Sequence, residues 1–357
     1  MEQRKISVQN KITIQTMTTT KTADIAATTA QINELVKIGC DIIRVAVPDA
    51  ASADAIGKIK ENITIPLVAD IHFDHKLALR AIAAGADKIR INPGNIGNKE
   101  HIKAIADACN QKNIPIRIGV NSGSLEKKIL EKYGGVTPEA MVESTMNHIA
   151  LLNKFDFDNI WLSAKSSSVP LTVKTYRLLH EQTKYPLHLG VTEAGTEFSG
   201  IIKSSIGIGA LLLDGIGDTI RVSLTAPPEK EIEAAKSLLK ALGLRPGIDI
   251  ISCPTCGRCN IDVLGIASEV GKRLSKNNEH NLTIAVMGCA VNGPGEAKQA
   301  DYGIAGVGAG KTDADKGVIF AKGKIIKKTP MDKLVDELFN VMATQGDGTQ
   351  GDGSLVF

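Results

Sequence analysis

Aromatic side chains are scarce. Phe, Trp and Tyr make up 3 % of the 357 residues, with a single tryptophan. Proteins that hold single-stranded nucleic acid stack bases on such rings, so this composition argues against that class of partner. Charge imbalance is also lacking. The formal net charge is +3, too small to imply a polyanionic partner, though it leaves room for a small anion bound by local Arg and Lys. Membrane signals are missing as well. Met1 to Asn10 is polar and carries no apolar signal core. No apolar run approaches the roughly 20 residues of a membrane span. The expectation is a soluble, cytoplasmic chain that binds neither nucleic acid nor membrane. Cysteine, at six residues, is too sparse for a secreted disulfide scaffold.

What is present is aliphatic. Hydrophobic residues reach 43 %, so a sizeable core must be built from Ile, Leu, Val and Ala. The length suits a (β/α)8 barrel followed by a smaller module. Short β-rich runs recur at Ile12–Gln15, Ile42–Val45, Leu67–Asp70, Lys88–Ile91, Ile116–Val120, Asn159–Ser163, Leu187–Val191 and Thr219–Ser223. Amphipathic or Ala-rich stretches lie between them, among them Ala23–Ile38, Lys76–Ala84, His101–Lys112, Glu139–Asn153 and Glu229–Leu242. This alternation predicts a closed parallel TIM-like barrel over residues 1–244. Gly39 and Gly85 sit where helices should end before the next strand. After Leu244 the pattern changes. Strand candidates at Asp249–Ser252, Leu282–Met287 and Val318–Ala321 flank helices near Val263–Leu274 and Met331–Met342, which predicts a mixed α/β domain over 245–342. Residues 343–357, with a Gln-Gly-Asp-Gly repeat, read as a disordered tail.

Function in such barrels sits at the C-terminal ends of the strands. Those ends carry Arg44, Asp70, His72, Arg90, Asn92, Arg117, Asn121, Ser163, Lys165, Glu193, Arg221 and Ser223. A single arginine is ordinarily a solvated side chain. Arginines recurring in phase on successive strands are not, and guanidinium forks suit phosphate oxygens, so a phosphate or diphosphate ligand follows. Glu193 reads either as a counter-charge among cations or as a proton-transfer group. Asn92-Pro-Gly-Asn95 and Asn121-Ser-Gly-Ser124 read as tight turns whose amides could bind anions. His72 reads as a structural hydrogen-bonder.

Four of the six cysteines, Cys253, Cys256, Cys259 and Cys289, crowd into the last third. Cys40 and Cys109 stand in apolar contexts and read as inert core thiols. The run Cys-x2-Cys-x2-Cys is nearer to iron–sulfur than to zinc spacing, because a structural zinc wants a second paired knuckle and none is present. All four cysteines could saturate a cluster for plain electron transfer. Alternatively, three could bind it with an exchangeable oxygen ligand, leaving one iron open to substrate; Glu296 follows Cys289 across an Asn-Gly-Pro-Gly turn. The spacing leaves both sets open. It also leaves open a zinc-stabilised lyase or pterin-type transferase without redox chemistry.

Several segments together resemble the bacterial 4-hydroxy-3-methylbut-2-enyl diphosphate synthase family, also called IspG or GcpE. They are Leu67-Val-Ala-Asp-Ile-His-Phe73, Ile89-Arg-Ile-Asn-Pro-Gly-Asn-Ile-Gly97, Arg117-Ile-Gly-Val-Asn-Ser-Gly-Ser124 and Leu187-His-Leu-Gly-Val-Thr-Glu-Ala-Gly195. Gly209–Thr225, Ser252-Cys-Pro-Thr-Cys-Gly-Arg258 and Val286-Met-Gly-Cys-Ala-Val-Asn-Gly-Pro-Gly-Glu296 continue the series. The resemblance spans about residues 4 to 340. It implies a barrel that holds a diphosphate, a C-terminal [4Fe–4S] domain, and a homodimer in which one subunit's cluster domain closes over its partner's barrel. The implied reaction opens 2-C-methyl-D-erythritol 2,4-cyclodiphosphate reductively to (E)-4-hydroxy-3-methylbut-2-enyl diphosphate, with two electrons from ferredoxin or flavodoxin. It implies Cys253, Cys256, Cys289 and Glu296 as cluster ligands, and Arg44, Arg90, Arg117, Lys165, Arg221 and Ser223 as diphosphate contacts. Asp70 and Asn92 join the substrate-facing groups, Glu193 becomes the proton donor, and Asn121 and Asn292 orient the substrate. Two departures stand out: Cys259 where the family usually has Thr, and Ala164 where Met is common.

Overall fold

The computed structural model describes residues 11–274, 281–289, 297–307 and 316–345. The chain divides into two compact units, Met1–Leu244 and Arg245–Phe357.

The first unit is a parallel β-barrel ringed by helices. Its strands are β1 (Thr13–Met17), β2 (Ile42–Ala46), β3 (Leu67–Asp70), β4 (Lys88–Ile91), β5 (Ile116–Asn121), β6 (Ile160–Lys165), β7 (His188–Leu189) and β8 (Thr219–Ile220). They pair in the order β6-β5-β4-β3-β2-β1-β8-β7. The open ends meet through a parallel bridge between Leu162 and Leu187, with the Leu162 N–H donating to Pro186 O at 2.9 Å. Outside the sheet lie α1 (Ile25–Lys37), α2 (Ala50–Lys60), α3 (His75–Ala83), α4 (Lys99–Lys112), α5 (Lys127–Tyr133), α6 (Pro138–Asn153), α7 (Val169–Gln182), α8 (Glu197–Leu213) and α9 (Pro228–Ala241). The short α5 is extra to the expected eight-fold alternation.

Period-two alternation puts the aliphatic half of each strand outward. Ile14, Ile43, Val45, Leu67, Ala69, Ile89, Ile91, Ile116, Ile118, Val120, Leu162 and Leu189 are buried beneath the helices and form the main core. Small aliphatics fill this layer, so few aromatics are needed. The other half, including Gln15, Arg44, Asp70, Arg90, Arg117, Ser163 and Lys165, turns toward the lumen, which is therefore polar. Local capping sets the helix entries. Asp24, Asp49, Asp74, Asn98, Thr137 and Ser168 each accept a backbone N–H of the first helical turn. Gly39 and Gly85, just past α1 and α3, take φ of 102° and 99°, the left-handed conformation expected of a helix-terminating glycine.

Two strands are shorter than the sequence pattern suggests. The aliphatic runs extend to Val191 and Val222, yet β7 stops at Leu189 and β8 at Ile220. Beyond those points the backbone leaves the ladder and lines the mouth of the barrel.

The second unit is a five-stranded sheet in the order β13-β12-β11-β10-β9. Its strands are β9 (Asp249–Ser252), β10 (Thr283–Met287), β11 (Tyr302–Gly306), β12 (Lys316–Ala321) and β13 (Lys324–Pro330), with helices α10 (Val263–Leu274) and α11 (Leu334–Gln345). β9, β10 and β11 run parallel; β12 and β13 add antiparallel strands. Ile284, Ile304 and Ile319 pack with Val270, Leu334, Leu338 and Met342, while Ala285, Met287, Ala305 and Phe320 form a second cluster. The sequence pattern missed β11 and β13. The first is Tyr-Gly-Ile-Ala-Gly, poor in strand formers. The second is a lysine-rich edge strand, whose exposed charges hide the alternation and discourage edge-to-edge pairing. Helix α11 continues through Ala343, Thr344 and Gln345, into the stretch expected to be disordered. Residues 346–357 lie outside the described residues.

Candidate active site

The lumen of the barrel concentrates buried cations. Arg90 and Lys165 are each 8 % exposed and Arg117 2 %; Arg44 and Arg221 present 12 % and 18 % of their side chains. Asp70 and Glu231 are the only buried carboxylates among the described residues. Asp70, at the end of β3, accepts from Arg90 Nη1 at 3.0 Å and faces Arg44 Nε at 3.6 Å and His72 Nε2 at 3.7 Å. Burial works to raise its pKa, but Arg44, His72 and Arg90 outweigh it and hold the carboxyl well below the usual range. Glu231 sits on α9 and accepts from Arg221 Nε and Nη2, both at 3.2 Å.

That leaves positive charge without a buried partner. Burial, then the neighbouring Arg117, Arg44, Arg221 and Arg90, push the Lys165 ammonium well below its ordinary pKa. Arg117 is lowered by burial and then by Arg44 and Arg90. Arg44 falls to about 10 for the same first reason, despite Asp70. Its Nε also donates to Met17 Sδ at 3.2 Å, and a thioether is a poor acceptor for a cation. Five cations thus share one chamber with two carboxylates. Leaving a buried charge unpaired costs roughly 3–5 kcal/mol, so the arrangement calls for an anion.

Close packing at two glycines shows how tightly the cations are set. A Cβ at Gly119 on β5 would lie 2.4 Å from Arg90 Nε. One at Gly190, just after β7, would lie 2.6 Å from Lys165 Nζ and 2.7 Å from Arg221 O. Only glycine lets these side chains cross the neighbouring backbone.

Arg117 lies deeper than a residue at a strand end. It is the second residue of β5, and Nη1 donates to Gln15 Oε1 on β1 at 3.0 Å. β1 and β5 stand four strands apart in either direction around the barrel, so the side chain crosses the lumen. Its Nε is buried without a hydrogen-bond partner, as is His188 Nε2. Burial and then Arg117 and Lys165 lower the His188 pKa, so the imidazole is neutral.

Around the rim, Asn92 is buried; its Oδ1 accepts from Gly94 N–H at 3.1 Å and its Nδ2 donates to Ser124 Oγ at 3.2 Å. This bond ties the turn at Pro93–Asn95 to the turn at Ser122–Ser124 beside Asn121. Behind them, His148 Nε2 and Glu126 Oε1 are 3.1 Å apart, and Ser144 Oγ donates to Glu126 Oε2 at 2.7 Å. Ser163 Oγ donates to Ile118 O at 3.3 Å, so it serves the sheet. His72 is mostly exposed. Ser223 is half-buried in the segment after β8. Glu193 is exposed and takes φ 51°. A non-glycine residue held there costs on the order of 1 kcal/mol, a strain that concentrates at functional loops.

The cysteines gather at the C-terminal ends of two adjacent parallel strands. Cys253 follows β9 directly, and its N–H donates to Val286 O at 3.2 Å. Cys289 follows β10 and is buried. The Gly288 N–H donates to Cys253 Sγ at 3.1 Å. The Arg258 backbone N–H, and then its side chain, lower the exposed Cys256 thiol below its usual pKa. Amide donors on sulfur favour thiolates, so these residues fit a thiolate-bound metal cluster. Cys259 differs: its Sγ donates to Ile261 O at 3.1 Å, and a Cβ on Gly288 would lie 2.6 Å from that sulfur. Among the described residues no three His, Cys, Asp or Glu side chains stand close enough to hold a metal ion. Glu296 and Asn292 lie outside the described residues. Cys40 and Cys109 are buried in the barrel, where burial pushes their thiols up to about 11 and 12.

A family model described as the GcpE TIM-barrel domain matches residues 1–236, and one described as the GcpE protein C-terminal domain matches residues 249–344. The chain belongs to the GcpE family. It is 60 % identical over 328 residues to a protein of Caldicellulosiruptor saccharolyticus, covering 92 % of each chain. It is 54 % identical to one of Clostridium perfringens, over 96 % of this chain and 99 % of that one. For a Bacillus subtilis protein the identity is 53 %, over 93 % and 87 %. All three are named 4-hydroxy-3-methylbut-2-en-1-yl diphosphate synthase (flavodoxin). Among the described residues, no helix of this GcpE-family chain is long and apolar enough to cross a membrane.

Three groups that the sequence reading passed over support the site: Gln15 and Glu231 bond its arginines, and His148 pairs with Glu126 behind the rim turns. Gln15 shares the inward parity of β1. Glu231 falls in step with Ala235 and Leu239 on the buried face of α9, and His148 with Thr145 and Leu152 on that of α6. A polar side chain in an apolar helical stripe was the available signal.

Proposed function

We propose that this chain catalyses the reductive ring opening of 2-C-methyl-D-erythritol 2,4-cyclodiphosphate to (E)-4-hydroxy-3-methylbut-2-enyl diphosphate, a step of isoprenoid biosynthesis, with flavodoxin as electron donor. The observation that carries this reading is the lumen, where, among the described residues, five cations stand with two buried carboxylates. A diphosphate supplies the missing negative charge. A plain electron carrier has no use for that chamber. The names of its relatives agree with it.

Arg44, Arg90, Lys165 and Arg221 hold the diphosphate oxygens, Arg117 closes the floor beneath them, and Ser223 adds a hydroxyl. Asp70 does not face the anion itself. It aims Arg90 and Arg44. The linked turns at Asn92 and Asn121 orient the sugar-derived carbons. Carbon–oxygen cleavage leaves an oxygen that needs a proton, and Glu193 on its strained loop supplies it. Cys253, Cys256 and Cys289, with Glu296, would hold a [4Fe–4S] cluster, which supplies single electrons and a Lewis-acidic iron. Cys259 is left out of that set, its Sγ lying against the Ile261 carbonyl oxygen.

Association as a homodimer belongs to the same proposal. Phe198, Ile202, Ile206 and Leu213 leave an exposed apolar stripe along α8, which a second copy would cover.

The test is anaerobic turnover of the cyclic diphosphate with reduced flavodoxin, alongside iron and acid-labile sulfide analysis. Formation of the linear diphosphate by wild type, with Glu193→Gln at least ~100-fold slower, supports the assignment. Iron and sulfide present with the cyclic diphosphate untouched would return the chain to an electron-carrier reading.

A further inference from the structure

Glu231 is the one buried carboxylate of the chamber carried by an outer helix rather than a strand. It is 4 % exposed and sits in the first turn of α9. Both oxygens are fully engaged. Oε2 accepts from Thr16 Oγ1 on β1 at 2.6 Å and from Arg221 Nε at 3.2 Å. Oε1 accepts from Arg221 Nη2 at 3.2 Å and from the Leu224 N–H at 3.1 Å. The fork–fork geometry with Arg221 fixes the plane of the guanidinium as well as its place. The Leu224 amide belongs to the residue next to Ser223, so the same carboxylate anchors the loop carrying that hydroxyl. Arg221 follows a strand only two residues long, so the ladder alone holds it weakly. Nη1 is the guanidinium nitrogen not engaged by Glu231.

We propose that Glu231 is a positioning residue of the diphosphate site: clamped between Thr16 and Leu224, it orients Arg221 and seats the Ser223 loop for the substrate. This rests on the reaction proposed above. A mere counter-charge makes the opposite forecast. If Glu231 only neutralised Arg221, its removal would free a cation and tighten anion binding. If it orients Arg221, removal weakens binding although the site becomes more positive.

The experiment measures inorganic pyrophosphate binding by calorimetry, and KM and kcat for the cyclic diphosphate, on the full-length holoenzyme. Glu231→Gln is expected to raise the pyrophosphate Kd and the KM about 10-fold or more, with kcat changed far less. In an Arg221→Met background the same change should cost clearly less than in wild type, since no guanidinium is left to orient and only the Ser223 loop remains to be seated. Thr16→Val keeps every charge and loosens the carboxylate from one side, so a smaller loss in the same direction is expected. It carries the test alone if Glu231→Gln does not fold. Unchanged or tighter pyrophosphate binding in these variants, with wild-type turnover intact, overturns the positioning role and leaves the proposed function standing. Wild type that neither binds pyrophosphate nor turns over would remove both.

Discussion

Replacing Lys165 by methionine should make the unliganded protein more stable while destroying its affinity for diphosphate. The side chain ends β6, is 8 % exposed, and has no carboxylate within ion-pairing distance among the described residues. The charges that act on it most strongly are Arg117, Arg44, Arg221 and Arg90, all of the same sign. Methionine fills similar volume without charge. Exchanging buried ionic groups for apolar ones commonly gains ~1–4 kcal/mol. At about 2–4 °C per kcal/mol for a domain of this size, the melting temperature should rise by roughly 2–16 °C at pH 7. The pH dependence has a definite sign. The folded-state pKa lies below the unfolded value, near 10.4, so between the two the unfolded chain holds more protons. The penalty of burying the ammonium is therefore complete below the folded value and fades as pH rises to about 10.4, so stability rises with pH across that window. Lys165→Met should flatten that slope. Calorimetric melts from pH 7 to 10 measure both effects. Adding pyrophosphate at ~100 times its Kd should stabilise wild type by about 2.7 kcal/mol and leave the variant unmoved. A variant that melts below wild type throughout this range would refute the argument, because the chamber would then be stable without an anion.

Asp70→Asn should do the reverse, destabilising by about 3–5 kcal/mol in urea titrations because Arg44 and Arg90 lose their carboxylate. As the Asp70 pKa is depressed, its contribution is present above the unfolded value near 3.9 and is lost as pH falls through the folded one. The variant should lack that acid-side loss. Gly119→Ala puts a methyl 2.4 Å from Arg90 Nε. It should cost ~1–3 kcal/mol and weaken pyrophosphate binding, where calorimetry showing neither change would mean Arg90 moves aside freely. Serine at Cys253, Cys256 or Cys289 should strip iron and sulfide from anaerobically purified protein, whereas Cys259→Ser should keep both, because that sulfur is a donor to Ile261 O. Iron loss from Cys259→Ser would make it a ligand.

Much of this protein is legible in its sequence because the signals are local. Aliphatic runs alternating with amphipathic stretches, and glycines where helices end, specify a barrel, and the strands at Leu67–Asp70 and Lys88–Ile91 appear with the bounds the pattern predicts. The cationic list and the cysteine spacing were equally visible, since parity along a strand assigns a side chain to lumen or core, and a thiol cluster needs close residues. Local pattern fails where strength comes from elsewhere. β7 and β8 end early because the mouth needs backbone outside the ladder, and the Gly-rich β11 is a strand only because β10 and β12 flank it. What each cation does was likewise a tertiary matter. Arg117 and Gln15 are 102 positions apart and Glu231 and Thr16 are 215. Only barrel closure makes them neighbours, and only burial turns their charges from a solvated surface into an unmet demand for an anion.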